Sequence, residues 1–123
     1  MEAAKVRTFE TPDELRTPPL ASVAIVSIDG VKVARLTFEP GWRWSQSIRP
    51  IVNTETCQVR HLGVLASGTL HVATADGAEY DITSGAAYVI EPGHDAWVLG
   101  QVPVVAYEFD APVATASAAT PAA

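Results

Sequence analysis

The sequence predicts an all-β domain, either a β-sandwich or a small barrel. About eight short runs rich in β-branched and other apolar residues follow one another along the chain. Glycine, proline or Asp-Gly pairs separate most of these runs, and such residues favour tight turns. Short strands joined by close turns are typical of two-sheet folds and of small closed barrels.

The N-terminal residues predict an arm, and the C-terminal residues predict a tail. We assign residues 1–20 to the arm, residues 21–110 to the barrel and residues 111–123 to a disordered tail that has no large side chains. Within the arm, residues 6–9 read as a short strand. Thr11 is a suitable N-cap and Pro12 suits the first helical position, so residues 11–16 predict one short helical turn.

The barrel is predicted to contain eight strands. Asp29-Gly30 and Asp76-Gly77 each separate two β-rich runs and therefore predict two hairpins. The predicted strands cover residues 22–28, 31–38, 55–67, 69–74, 79–83, 86–90, 94–99 and 104–109.

Composition limits the class of function. The chain has 123 residues, 48% of them hydrophobic, which is enough for one packed domain. Its net charge of −6 and its scattered basic residues provide no basic stripe for nucleic acid. We expect no membrane partner and a cytoplasmic location, because no apolar run could span a bilayer and the N-terminus lacks the apolar core of a signal peptide.

One predicted strand carries several chemically active side chains. Alternation along residues 55–67 places Glu55, Cys57 and His61 on one face, which should point inward because Val59 and Leu65 share it. Burial of these polar groups is unfavourable unless a metal ion or a hydrogen-bond network pairs them. Cys57 is the single cysteine, so it forms no internal disulfide and is a packing residue, a ligand or a nucleophile.

Two further segments contribute candidate residues. His94 follows the Pro92-Gly93 turn and brings a second imidazole from a nearby strand. The segment 42–53 is either a lid whose aromatic residues plug one end of the barrel or a substrate-facing loop. On the second interpretation the substrate-binding candidates are Trp42, Arg43, Trp44 and, from the last strand, Tyr107. Tyr88, Trp97 and Glu108 are further pocket or core candidates.

These motifs resemble those of the cupin family. In its first motif, His-x-His is followed by three or four residues, a Glu, six residues and a Gly. Gly68 matches the closing Gly, so His61 stands at the family's Glu while Cys57 and Glu55 stand at its two His positions. In the second motif, which Gly85 to His94 approximates, His94 matches the family's third histidine. The Pro-Gly-Trp-Arg-Trp-Ser, Cys-x-x-x-His and Pro-Gly-His-Asp-Ala-Trp motifs look like those of a subgroup of small single-domain bacterial cupins.

The resemblance implies a jelly-roll barrel, also called a double-stranded β-helix, with a metal site. We expect Cys57, His61 and His94 to bind one divalent metal ion, with Glu55 as a fourth ligand or a nearby general base. Zn²⁺ suits this donor set best, and Fe²⁺, Ni²⁺ and Cu²⁺ remain candidates. Cys57 and His61 would lie about 13 Å apart on a straight strand, so the chain between them must bend or bulge. The other interpretation is a buried thiol with core histidines.

Three functions follow as hypotheses. The first is a metalloenzyme that acts on a small organic molecule inside the barrel. The second is a non-catalytic cupin that binds or senses a small ligand, and the third is a structural domain that forms a homodimer through its edge strands.

Overall fold

The computed structural model describes residues 3–109, so residue 110 and the predicted tail, residues 111–123, lie outside the described residues. Nine strands and two short helices form within this range. The strands are β1 (Glu14–Arg16), β2 (Ala21–Ile28), β3 (Val31–Phe38), β4 (His61–Ser67), β5 (Thr69–Thr74), β6 (Glu79–Thr83), β7 (Ala87–Ile90), β8 (His94–Leu99) and β9 (Val104–Phe109). The helices are α1 (Trp44–Ser47) and α2 (Arg49–Val52).

The strands form two antiparallel sheets that pack face to face. One sheet has the order β1-β2-β3-β9-β4-β7, and the other has the order β6-β5-β8. Inward-facing residues of both sheets belong to one buried cluster, which places the core between the sheets. The all-β, two-sheet prediction is therefore confirmed.

The two predicted hairpins are present. Asp29 and Gly30 both have positive φ angles, 51° and 82°, between β2 and β3. Two consecutive positive φ angles are the geometry that a two-residue hairpin turn requires, and Gly at the second position adopts it without strain. Asp76 and Gly77 connect β5 to β6 in the same part of the chain that the sequence indicated.

The predicted elements of the N-terminal arm are wrong. Residues 14–16 form β1 instead of a helical turn, and no strand forms at residues 6–9. The cause is the open edge of β2: Asp13 N–H donates to the Ile25 carbonyl at 2.8 Å, and the Asp13 carboxylate accepts the Ser27 N–H at 2.6 Å. Asp13 therefore binds the chain to β2, and the predicted helical turn does not form.

The segment between β3 and β4 also differs from the prediction. Residues 44–52 fold into α1 and α2, and β4 begins at His61 instead of residue 55. Both helices are short, and no helix of the described residues is long and apolar enough to cross a membrane. The segment runs along the free edge of β8, where the Val98 N–H donates to the Trp42 carbonyl at 3.1 Å.

Candidate metal centre

Three buried side chains converge between the two sheets. Cys57, His61 and His94 each offer one ligand atom, and these atoms lie within 4.8 Å of one another. The three residues are only 1%, 3% and 2% exposed. The structure therefore brings together the three residues that the sequence predicted as ligands, close enough to bind one metal ion.

Cys57 reaches His94 through the backbone. Residues 58–60 are irregular, but Cys57 forms an isolated β-bridge with His94. The Cys57 N–H donates to the His94 carbonyl and the Gly93 N–H donates to the Cys57 carbonyl, both at 2.7 Å. The chain between Cys57 and His61 therefore bends, as their spacing required. The Cys57 Sγ lies 3.6 Å from the His61 Nε2.

Hydrogen bonds fix the orientation of both imidazoles. The His61 Nδ1 lies 2.7 Å from the Glu108 Oε1, and the His94 Nδ1 lies 2.8 Å from the Glu91 carbonyl oxygen. Since carboxylate and carbonyl oxygens accept, each Nδ1 carries the proton, which leaves Nε2 as the coordinating atom. Metal-binding histidines commonly have such a partner behind them.

Glu108 is a buried carboxylate with two donors. It is 6% exposed, and its second oxygen accepts the Tyr88 O–H at 2.7 Å. Burial and the negative charge of Glu108 raise the pKa of Tyr88, so the phenol stays protonated and donates. Gly63 makes room for this pair, because a Cβ there would lie 2.8 Å from the Glu108 Cγ and 3.0 Å from the Tyr88 Oη.

The thiol and the first imidazole form a charged pair. Burial alone would raise the pKa of Cys57, but hydrogen bonds and positive charge from His61 and His94 lower it to about 6. Burial lowers the pKa of His61, yet the charges and hydrogen bonds of Glu108 and Cys57 outweigh it and raise this pKa to about 10. At neutral pH Cys57 is therefore a thiolate and His61 an imidazolium.

The donor set fits a divalent ion. Two ligand atoms on a tetrahedral Zn²⁺ lie roughly 3.3–3.6 Å apart for Zn–N near 2.0 Å and Zn–S near 2.3 Å. The Cys57–His61 separation of 3.6 Å already meets this requirement, and the 4.8 Å limit on all pairs needs only small side-chain rotations. With both imidazoles neutral, the negative charges of Cys57 and Glu108 balance one divalent cation.

A small cavity adjoins the two imidazoles of the cluster, His61 and His94. Its volume is about 20 Å³, which is room for about one water-sized molecule. Trp42 and Trp44, both 2% exposed, line this cavity, as do His61, His94 and Glu108. Its other walls are apolar: Leu36, Phe38, Leu70, Ile90 and Ala96.

Glu55 does not belong to the cluster, which corrects the sequence interpretation. Its side chain is 89% exposed, and its carboxylate accepts from the Arg49 Nη2 at 2.9 Å. Strand alternation cannot be applied to Glu55, since β4 begins only at His61. The carboxylate that reaches the site is Glu108, which contacts an imidazole from behind.

Arg43 and Tyr107 also lie away from the cavity. The Arg43 guanidinium carbon lies 4.1 Å from the Trp97 ring centroid, and its Nε donates to the Asp95 Oδ2 at 3.1 Å. Tyr107 packs against Phe9, with ring centroids 5.6 Å apart. Because alternate residues of a strand face opposite ways, the inward position of β9 next to Tyr107 is Glu108. Glu108 was named from the sequence only as a pocket or core candidate, and alternation with the buried Val104 and Ala106 supports its inward position.

A larger cleft opens between the edge strands β6 and β7. It has a volume of about 490 Å³, and apolar side chains form most of its wall. Tyr88 and Ile90 line it, and Ile90 also lines the small cavity. The cleft and the metal centre are therefore separated by little more than the side chains of β7.

The fold is similar to those of several solved structures. A cupin-like protein from Thermotoga maritima has a TM-score of 0.53 at 14% identity over 72% of this chain and 66% of that chain, just under two thirds of its length. An RmlC-like cupin from Shewanella frigidimarina has a TM-score of 0.55 at 14% identity, with 86% and 91% of the two chains covered. A Klebsiella pneumoniae protein with a double-stranded β-helix domain has a TM-score of 0.59 at 13% identity, with 87% and 84% covered.

Similarity at these identities shows the fold alone. The predicted cupin jelly roll is therefore confirmed, whereas the predicted motif subgroup stays a prediction. No protein-family model and no curated protein matches the sequence.

Proposed function

We propose that this chain, which has the cupin fold, binds one divalent metal ion through Cys57, His61 and His94 and acts on a small organic molecule inside the barrel. One observation carries the proposal: a thiol group and two imidazoles converge, and each imidazole has its Nδ1 held by a separate acceptor. A core that merely tolerated two histidines would not need ligand atoms of both within 4.8 Å of one thiol.

Zn²⁺ is the proposed ion, with Fe²⁺, Ni²⁺ and Cu²⁺ as competitors for a mixed thiolate–imidazole set. Three protein ligands leave one position open, which is the arrangement of catalytic zinc sites. A bound divalent ion would supply Lewis-acid polarisation of a substrate oxygen.

The surrounding residues support this chemistry in distinct ways. Glu108 orients His61 and balances its charge, and Tyr88 holds the second oxygen of Glu108 in place. The apolar walls of the cavity exclude bulk water, which strengthens electrostatic interactions at the reacting group. Since the cavity holds about one water-sized group, only the reacting end of a substrate fits beside the ion.

Zinc binding is expected to release about one proton per ion between pH 7 and 9. The pKa values of about 6 for Cys57 and about 10 for His61 mean that the thiolate is already present, while His61 must lose its Nε2 proton. The affinity should therefore fall about tenfold per pH unit on acidification, and more steeply below about pH 6, where Cys57 also takes up a proton. Calorimetry in two buffers of different ionisation enthalpy measures this release. Zinc binding without proton release at pH 8 would show that His61 is not a ligand.

A small-molecule screen tests the function itself. Thermal stability is measured for the zinc-loaded and the chelated protein with the same set of organic acids, carbonyl compounds and alcohols. We expect compounds that stabilise the zinc-loaded protein alone, and the product of any turnover to appear only with zinc. Identical stabilisation of both forms, without turnover, would support the non-catalytic alternative instead.

The non-catalytic alternative has its own structural support. The cleft between β6 and β7 falls within the usual size of small-molecule sites, roughly 300–1,000 Å³, and its lining is mostly apolar. A ligand bound there would not contact the three metal-binding side chains. Replacing Ala87, which lines the cleft, with Trp would then abolish ligand binding and leave the zinc affinity unchanged.

A thiol nucleophile is a further candidate. Cys57, His61 and Glu108 are arranged as thiolate, imidazolium and orienting carboxylate, with contacts of 3.6 Å and 2.7 Å. His94 has no role in such a triad, which is why the metal interpretation accounts for more of the site. A nucleophile would react with iodoacetamide and turn over in the chelated protein, and zinc would suppress both.

A further inference from the structure

The indole N–H of Trp42 is a buried donor without an acceptor. Trp42 is 2% exposed, and its Nε1 is the one buried side-chain nitrogen or oxygen among residues 3–109 that has no hydrogen-bond partner. A buried donor in this state is unfavourable, and native proteins contain few of them. A hydrogen-bond acceptor from outside the described residues would therefore stabilise the Trp42 Nε1–H.

Packing and backbone hydrogen bonds hold the Trp42 indole in place. Its ring stacks on Phe38 with centroids 3.9 Å apart and an interplanar angle of 11°. The Trp42 N–H of the backbone donates to the Glu39 carbonyl at 2.9 Å, and its carbonyl accepts from Val98 at 3.1 Å. A tryptophan held on the backbone and on the ring face cannot readily turn to find another acceptor.

The cavity that Trp42 lines is the one beside the proposed metal centre. His61, His94 and Glu108 are its polar lining residues, and both oxygens of Glu108 already accept hydrogen bonds from His61 and Tyr88. The volume of about 20 Å³ admits one group of about the size of a water molecule. A group placed there would have both imidazoles, His61 and His94, and Trp42 among its neighbours.

We propose that the Trp42 N–H donates a hydrogen bond to an exogenous ligand bound at the open position of the metal centre. This inference rests on the proposed function. The ligand is a small hydrogen-bond acceptor, either a water-sized molecule or anion, or the single oxygen of a carboxylate, carbonyl or hydroxyl group at the end of a substrate. A ligand without an acceptor atom at this point leaves the N–H unsatisfied and binds more weakly.

The test uses azide as the probe and the Co²⁺-loaded full-length protein, whose visible absorption reports ligand binding at the metal. Trp42→Phe keeps an aromatic ring beside Phe38 and removes the N–H donor together with one ring of the indole. We expect this variant to bind one Co²⁺ and to raise the azide Kd roughly 10–100-fold, because a hydrogen bond to a charged acceptor is lost. Trp97→Phe is the matched control, since Trp97 lies under Arg43 outside the cavity, and it should leave the azide Kd unchanged.

The outcomes separate this inference from the function on which it rests. One bound Co²⁺ with an unchanged azide Kd in Trp42→Phe overturns the inference and leaves the metal centre standing. A wild-type protein that binds no Co²⁺ overturns both. If Trp42→Phe does not fold, the assigned Nε1–H resonance of Trp42 is followed in the Zn²⁺-loaded wild type. Azide should shift that resonance and not that of Trp97, and a Trp42 signal that does not respond overturns the inference.

Discussion

Replacing Cys57 with Ser is expected to raise the Zn²⁺ dissociation constant by more than 100-fold and to leave the chain folded. A serine hydroxyl stays protonated at neutral pH, so the variant loses an anionic sulfur ligand. Loss of a residue that only supports a ligand costs about 10–100-fold in affinity, and loss of the ligand itself should cost more. The fold should persist because Cys57 is bound to Gly93 and His94 through its backbone, which the substitution does not change.

Competition with a chromophoric chelator measures this difference, and circular dichroism checks the fold. Glu55→Gln is the matched control, since Glu55 is 89% exposed and pairs with Arg49. The control should bind zinc as the wild type does. If Cys57→Ser bound zinc with wild-type affinity, the thiol would not be a ligand. If Glu55→Gln lost much of the zinc affinity, Glu55 would take part in the site, as the sequence suggested.

Replacing Gly63 with Ala is expected to lower the free energy of unfolding by roughly 1–3 kcal/mol, the usual cost of an overpacked core. The added Cβ would lie 2.5 Å from the Tyr107 carbonyl oxygen of the neighbouring strand and 2.8 Å from the Glu108 Cγ. The backbone oxygen belongs to β9, which pairs with both β3 and β4 and cannot easily shift. The strain should therefore pass to Glu108 and weaken its contact with His61.

Two measurements belong to this prediction, the stability in urea without metal and the zinc affinity. The affinity should fall together with the stability, because His61 loses its oriented partner. Val64→Thr, the next position on the outer face of β4, should change the stability by no more than about 0.5 kcal/mol. A Gly63→Ala protein with wild-type stability and affinity would show that Glu108 and Tyr88 do not pack against this strand.

The sequence predicted the barrel well because local rules determine most of it. Asp-Gly pairs define two hairpins, and alternation of apolar residues defines the faces of β3, β5, β8 and β9. The secondary structure of the N-terminal arm was predicted wrongly because a tertiary contact there overrides a local preference. Thr11, Pro12 and the acids that follow are a good helix start, but Asp13 pairs with the edge of β2.

The metal site was predicted in part for the same reason. Cys57, His61 and His94 could be identified because they are metal-binding residue types that stand at ligand positions of the family motifs, and the Pro92-Gly93 turn indicated that His94 comes from a nearby strand. The side of the chain on which Glu55 lies could not be predicted, since the strand breaks between it and His61 and no local signal marks the break. Glu108 was predicted as a pocket or core residue, but its contacts with His61 and Tyr88 could not be, because they depend on the register of β9, β4 and β7.

The most direct test of the metal centre is X-ray absorption of the protein loaded with one equivalent of Zn²⁺. The arrangement of Cys57, His61 and His94 predicts one sulfur near 2.3 Å and two imidazole nitrogens near 2.0–2.1 Å from the ion. It also predicts that the sulfur contribution disappears in Cys57→Ser. A first coordination shell without sulfur, or a wild-type chain that retains no zinc, would contradict the proposed centre.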